Sequence, residues 1–245
     1  MNTNFYALII GTEILNGRRE DKHFKFVRDE LQKYGRELFA SFIVKDDAQL
    51  IKNCFELIKN DKDSVLFSFG GIGSTPDDLT REIASELFTS KPLVRHKIFE
   101  QDIKEKFGEQ AYPHRIHMSD LPEGSELLFN PINNMSGFSL ENRFFFVPGF
   151  PVMAHPMISR VIKSLCSSHI EKFRFTLLAF TSENSLISQM KLLPPHIELS
   201  SLPILKEGKA QVELSLSGYK EEEVKKYFNL FVKELENTNI AYKVV

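Results

Sequence analysis

Apolar positions along this chain fall into two alternating rhythms. Residues 6–10 form a short unbroken apolar run ended by Gly11, the mark of a strand covered on both faces. Residues 21–34 set Phe24, Val27, Leu31 and Tyr34 at helical spacing, and Gly35 supplies a stop. Leu38–Val44 predicts a second strand, and residues 48–59 a helix with Ile51, Phe55 and Ile58 on one face. Residues 65–69 predict a third strand, and Gly70-Gly71 then leads into a helix through Leu79, Ile83 and Leu87. Strands alternating with helices predict a mostly parallel sheet with helices on both faces.

Residues 91–125 break that rhythm. Phe99, Ile103 and Phe107 predict a helix, but Pro113, Pro122 and mixed polarity predict an insertion or a lid. Short strands follow at 126–129, 138–140 and 143–147, and the turn Pro148-Gly149-Phe150-Pro151 opens a helix to about Leu165. A new pattern starts near Lys172: strand 173–180, helix 183–193, strands 197–202 and 209–217, helix 220–236 and strand 240–244. Val224, Phe228, Phe231 and Leu235 make the stripe of the last helix, with Glu221–Lys225 and Glu222–Lys226 as i,i+4 pairs. The order βαββαβ is that of a split βαβ, ferredoxin-like α+β unit. The change of pattern divides the chain into residues 1–168 and 169–245.

Composition narrows the function classes. With 245 residues, 42% hydrophobic and 26% charged, the chain matches ordinary globular proteins and can bury a large core. A net charge of −2 excludes a nucleic-acid binder that relies on bulk attraction. Cys54 and Cys166 lie far apart in apolar segments without a CxxC partner, so they are read as small buried hydrophobes. The start Met1-Asn2-Thr3-Asn4 lacks a basic leader region, and no apolar run reaches the roughly 20 residues of a membrane span. No membrane partner and a cytoplasmic location are therefore expected.

The chemistry concentrates in Gly70-Gly71-Ile72-Gly73-Ser74-Thr75-Pro76-Asp77-Asp78-Leu79-Thr80. Glycines admit backbone N–H groups close to a ligand, and a helix start favours an anion. Neither a Walker lysine nor GxGxxG spacing is present, so a P-loop ATPase and a Rossmann dinucleotide site are unsupported. Asp77 and Asp78 would repel a phosphate about 4 Å away by roughly 1 kcal/mol in water and about 4 kcal/mol at a dielectric near 20. A bridging divalent ion reverses that sign, because hard cations accept carboxylate and phosphate oxygens together. Asp46 and Asp47, just past the second strand, reach the same crevice if strands two and three lie close. Asp46, Asp47, Asp77 and Asp78 are thus candidate metal ligands. A structural alternative stands beside this: Thr75-Pro76-Asp77-Asp78 also reads as a helix cap with proline at N1, and Asp46-Asp47 as a cap for residues 48–59.

The string GGIGSTPDDLT resembles the glycine motif of the MoaB/Mog-type molybdopterin-binding fold, in the form carried by competence/damage-inducible protein A (CinA). Gly11-Thr12-Glu13-Ile14-Leu15-Asn16-Gly17 with Asp21, Val44-Lys45-Asp46-Asp47, Leu121-Pro122-Glu123-Gly124, Asn130-Pro131, Gly137-Phe138 and Pro148-Gly149-Phe150-Pro151 follow in the family's order. The likeness covers roughly residues 5–165, and residues 172–245 resemble the small KH-like domain that follows in such proteins. It implies a three-layer α/β/α domain, a nucleotide or pterin ligand and a homo-oligomer. For the CinA branch it implies hydrolysis of ADP-ribose-like pyrophosphates with Mg²⁺, Mn²⁺ or Co²⁺. Asp46 and Asp78 match the acidic positions regarded as functional, and Gly70, Gly71, Gly73, Ser74, Thr75, Thr80, Glu13 and Gly149 are the expected ligand contacts. Asp77 in place of arginine favours the pyrophosphatase branch over molybdenum-cofactor proteins. The alternatives are a pterin- or nucleotide-binding protein of the molybdenum-cofactor type and a non-catalytic ligand module. Thr12 stands where the family usually has aspartate and Met153 where it has glutamate, which puts catalysis in doubt. With the sequence ending at Val245, the deamidase domain of full-length CinA is expected to be absent.

Other residues carry less. His114 and His117 are three apart without a third ligand and read as surface or lid histidines. Asp21 and His23 could face the crevice, yet Asp21 is also a natural N-cap. Arg18-Arg19 could meet a phosphate or stay solvated. No GxSxG elbow supports acyl-enzyme chemistry, and the 22 phenylalanines read as core filling.

Overall fold

Residues 3–245 are described by a computed structural model; Met1 and Asn2, part of the start examined for a leader, lie outside the described residues. The chain divides into two compact units, residues 1–168 and 169–245.

In chain order the first unit begins β1 (Asn4–Ile10), α1 (Thr12–Leu15), α2 (His23–Gln32), β2 (Leu38–Val44), α3 (Ala48–Asn60), β3 (Ser64–Phe69) and α4 (Thr80–Ala84). It continues with β4 (Leu93–Arg95), α5 (Lys97–Phe107), β5 (Asp120–Pro122), β6 (Glu126–Leu128), β7 (Gly137–Leu140), β8 (Phe144–Val147) and α6 (Pro151–Leu165). Alternate residues of β1 feed two separate cores, which is why the strand reads as an unbroken apolar run. Tyr6, Leu8 and Ile10 pack with Ile51, Phe55 and Ile58 of α3 and with Phe99 and Ile103 of α5. Phe5, Ala7 and Ile9 pack with Val27 and Leu31 of α2 and with Ala154, Met157 and Ile158 of α6. The result is a three-layer α/β/α fold. Each fully buried phenylalanine, such as Phe55 and Phe67, contributes roughly 1.5–3 kcal/mol of transfer free energy.

The sheet order is β2-β1-β3-β8-β7-β6. Strands β2, β1, β3 and β8 run parallel, while β7 and β6 are antiparallel additions at one edge. Residues 91–125, expected as an insertion or a lid, are instead tied to the core. Phe99, Ile103, Ala111, Ile116 and Leu121 are all buried there, and β4 pairs with β5 beside them. A second correction concerns the glycine segment. The helix start read at Thr75-Pro76 is a loop instead, and α4 begins only at Thr80, followed by a π-helical turn at Ser85–Thr89.

The second unit contains β9 (Phe173–Ala179), α7 (Ile187–Met190), β10 (Glu198–Lys206), β11 (Lys209–Gly218), α8 (Glu221–Asn237) and β12 (Tyr242–Val244). Its four strands form an antiparallel sheet in the order β10-β11-β9-β12, the split βαβ arrangement. Val224, Phe228, Phe231 and Leu235 of α8 pack on Leu177, Val212, Leu214 and Leu216. Among the described residues, no helix is long and apolar enough to cross a membrane.

Candidate functional site

Four parallel strands finish at the same edge of the sheet, and the loops that leave them surround one cavity. The Gly11 amide donates to Val44 O at 3.0 Å and the Gly70 amide to Val147 O at 2.9 Å, so adjacent strand ends are joined up to the cavity rim. The cavity holds about 510 Å³, within the range of roughly 300–1,000 Å³ usual for small-molecule sites. Gly70 sits at φ 101°, and a Cβ there would meet Ile10 O at 2.3 Å. Gly149 approaches the same turn, with its Cβ direction 3.4 Å from Gly70 Cα.

Two carboxylates reach this cavity through matching local devices. Asp46 Oδ2 accepts the backbone N–H and the hydroxyl of Thr12, each at 2.8 Å. Asp78 Oδ2 accepts the backbone N–H of Thr75 at 2.8 Å and its hydroxyl at 2.6 Å. In each case one oxygen fixes a loop, and the other has no hydrogen bond among the described residues. Asp77 also lines the cavity, and the Thr75 side chain, with Asp77's own amide, holds its carboxyl below the ordinary carboxylate range. Gly70, Gly71, Gly73, Ser74, Thr75, Glu13 and Gly149 all line the same space.

Two expected site residues go elsewhere. Asp47 caps α3, accepting the Leu50 amide at 2.9 Å, and is not part of the cavity wall. Thr80 is fully buried: its hydroxyl donates to Gly70 O at 3.0 Å and its amide to Gly71 O at 2.9 Å. It closes the loop from inside and does not line the cavity. Arg81, which the sequence did not single out, is buried beside it and donates to Gly73 O at 2.6 Å and to the carbonyls of His117 and Asp120. This one guanidinium ties the glycine loop to the segment after α5. Arg19 reaches the cavity, 3.6 Å from Glu13 Oε1, and its guanidinium lies over the Phe150 ring.

Histidines lie behind the Pro148–Pro151 turn rather than in the cavity. Asp21 caps α2 through the His23 and Phe24 amides, as its alternative reading allowed. His23 Nε2 is 3.3 Å from Gly149 O, which can only accept, so Nε2 carries the proton. Nδ1 then accepts from His155 Nε2 at 3.2 Å, which leaves the His23 ring neutral. Burial pushes His23 below its ordinary value, and burial with the neighbouring His23 lowers His155 to about 4. A histidine that is neutral when folded and protonates readily when unfolded adds stability that is complete above about pH 6.5 and lost as pH falls toward 4. His155 is partly exposed, which reduces the effect. The urea-unfolding free energy is expected to fall by about 1–2 kcal/mol between pH 7.5 and 5, and by less in His155→Leu. Equal pH slopes in the two proteins would remove the histidine pair as the cause. His114 and His117 are exposed, and His117 pairs with Asp120.

A model of the probable molybdopterin-binding domain matches residues 6–167, which is most of the chain and all of the cavity. The chain belongs to the molybdopterin-binding domain family. Within that family its relatives are CinA-like. A CinA-like protein of Flavobacterium psychrophilum is 28% identical over 241 residues, covering 93% of this chain and 57% of its own length. One from Acaryochloris marina is 32% identical over 164 residues, covering 64% of this chain and 39% of its own length. The chain therefore spans little more than half of these relatives at most. The crystal structure of the CinA protein of Thermoplasma acidophilum is 26% identical, with a TM-score of 0.59, and matches 67% of this chain and 98% of its own.

Of the two positions read from the sequence as departures from the resemblance, Met153 lines the cavity and Thr12 does not. Thr12 anchors Asp46 by three hydrogen bonds, including the Asp46 amide to Thr12 Oγ1 at 3.2 Å. Met153 lines the cavity with Sδ 3.0 Å from Asn133 Nδ2. Among the described residues no group of three or more His, Cys, Asp or Glu side chains forms a ready metal cage. Asp46 and Asp78, each with one oxygen uncommitted, fit a different arrangement, in which a hard cation takes one or two carboxylates and completes its shell with phosphate and water.

Proposed function

We propose that this chain hydrolyses a nucleotide pyrophosphate of the ADP-ribose kind, with a divalent cation shared between the substrate phosphates and Asp46 and Asp78. One observation supports this most: carboxylates from two separate strand ends line the same cavity as the glycine loop, each with an oxygen to spare. Family membership independently favours a nucleotide or pterin ligand.

In this reading Gly71, Gly73 and Ser74 receive phosphate oxygens, because no bulky side chain screens their backbone. Mg²⁺, Mn²⁺ or Co²⁺ would supply charge neutralisation and Lewis acidity at the pyrophosphate. Asp77, whose carboxyl is held ionised, suits a charged partner better than a proton acceptor. Water adds to one phosphorus, the P–O–P bond breaks, and AMP and ribose 5-phosphate leave in equal amounts.

Incubation with ADP-ribose and each metal, followed by chromatography, is expected to yield both products in a one-to-one ratio. No AMP above the enzyme-free background with any of the three metals, at high enzyme concentration, would sink the proposal. The molybdopterin-binding family description favours a second reading as a pterin binder. Pterin fluorescence copurifying with the protein, without ADP-ribose turnover, would establish that one instead.

A further inference from the structure

The cavity has a second chemistry on the wall that carries no carboxylate. Phe99 and Phe107 of α5, Met118 from the 3-10 turn Arg115–Ser119, and Met135 give it an apolar lining. Arg115 lies on that lining, its guanidinium 4.7 Å from the centroid of the Phe107 ring. Arg115 Nη1 donates to Gln110 O at 2.9 Å, which fixes the plane at a second point. The side chain is exposed, and among the described residues its contacts are the Phe107 ring and Gln110 O, with no carboxylate. A flat cation is thus held in place beside a ligand cavity with no structural ion pair to account for it.

Phosphate and ring make different demands on such a group. A phosphate would use the N–H edge of the guanidinium, which Gln110 O already shares, and would gain nothing from Met118 and Met135. A heteroaromatic ring uses the face, and it buries the apolar neighbours at the same time. We propose that Arg115, backed by Phe107, is the stacking platform for the base of the ligand, and that it makes the site select nucleotides over base-free pyrophosphates. The inference rests on the pyrophosphate reading above and extends it to the other end of the substrate.

Titration calorimetry in Mg²⁺ with ADP and with inorganic pyrophosphate tests it, using the wild-type chain, Arg115→Lys and Arg115→Ala. The wild type is expected to bind ADP roughly tenfold or more tighter than pyrophosphate. Both variants are expected to lose about tenfold for ADP and to keep their pyrophosphate affinity, because lysine retains the charge but not the plane. Equal wild-type affinity for the two ligands would overturn the platform. So would a lysine variant that binds ADP normally while the alanine variant loses both ligands, the pattern of a phosphate clamp. A wild type that binds neither ligand would overturn the pyrophosphate reading and the platform together, whereas good pyrophosphate binding with no preference for the base overturns the platform alone.

Discussion

Gly70→Ala is expected to lower the unfolding free energy by about 4 kcal/mol and to abolish ligand binding. Two costs combine at this position. The backbone at φ 101° lies where side chains are strained by roughly 1–3 kcal/mol. The added Cβ would also stand 2.3 Å from Ile10 O, and that oxygen belongs to a central strand that cannot move aside. Relief requires β1 and the glycine turn to separate, which opens the cavity at its floor. Gly17→Ala is the control: it has φ 77° but open space around its Cβ direction, so only about 1 kcal/mol of strain is expected. Denaturant unfolding of both variants separates clash from strain. A loss below about 1 kcal/mol for Gly70→Ala would mean that the strand end is softer than its packing implies.

The second large effect is on turnover. Asp46→Asn and Asp78→Asn are each expected to reduce AMP formation at least about 100-fold while changing stability by less than about 1 kcal/mol. Asparagine keeps one carbonyl oxygen, and that oxygen can still accept the paired N–H and O–H of Thr12 or Thr75. What it loses is the negative charge of the carboxylate. The substitutions therefore distinguish a carboxylate kept for its charge from one kept for fastening a loop. Normal turnover with normal stability would assign both residues to loop geometry and remove them from the chemistry. Activity and thermal unfolding must be measured on the same preparations.

How much of this was legible beforehand depends on how local each cause was. The runs that became β1 and β3 could be read because burial on both faces leaves no charged position to disguise the strand. Pro151 at the start of α6 and the stripe on α8 are likewise local devices. Asp46 and Asp78 stand out in the sequence through a shared motif order, and both line the cavity. Thr80 was misread because a threonine near a glycine loop can serve a ligand or the loop itself, and the choice depends on a carbonyl ten residues earlier. Asp47 lost to its neighbour because the helix needed a cap and only one of the two carboxylates could turn outward. Arg81, Arg115 and His155 had no local mark at all. Their partners lie in distant segments or, for Arg115, in an irregular stretch whose path no periodicity predicts.

The two sides of the cradle differ in how they can open. On one side, the amides of Gly11 and Gly70 are the final rungs of the central ladder, so exposing them to solvent requires the sheet itself to part. On the other, the Asp78–Thr75 clasp is fastened mainly by its own side chains and sits near the surface, so it can breathe while the sheet stays intact. A ligand entering this cavity would therefore meet a floor held by the sheet and a rim held by loop side chains, so the ordering it imposes would fall on the rim.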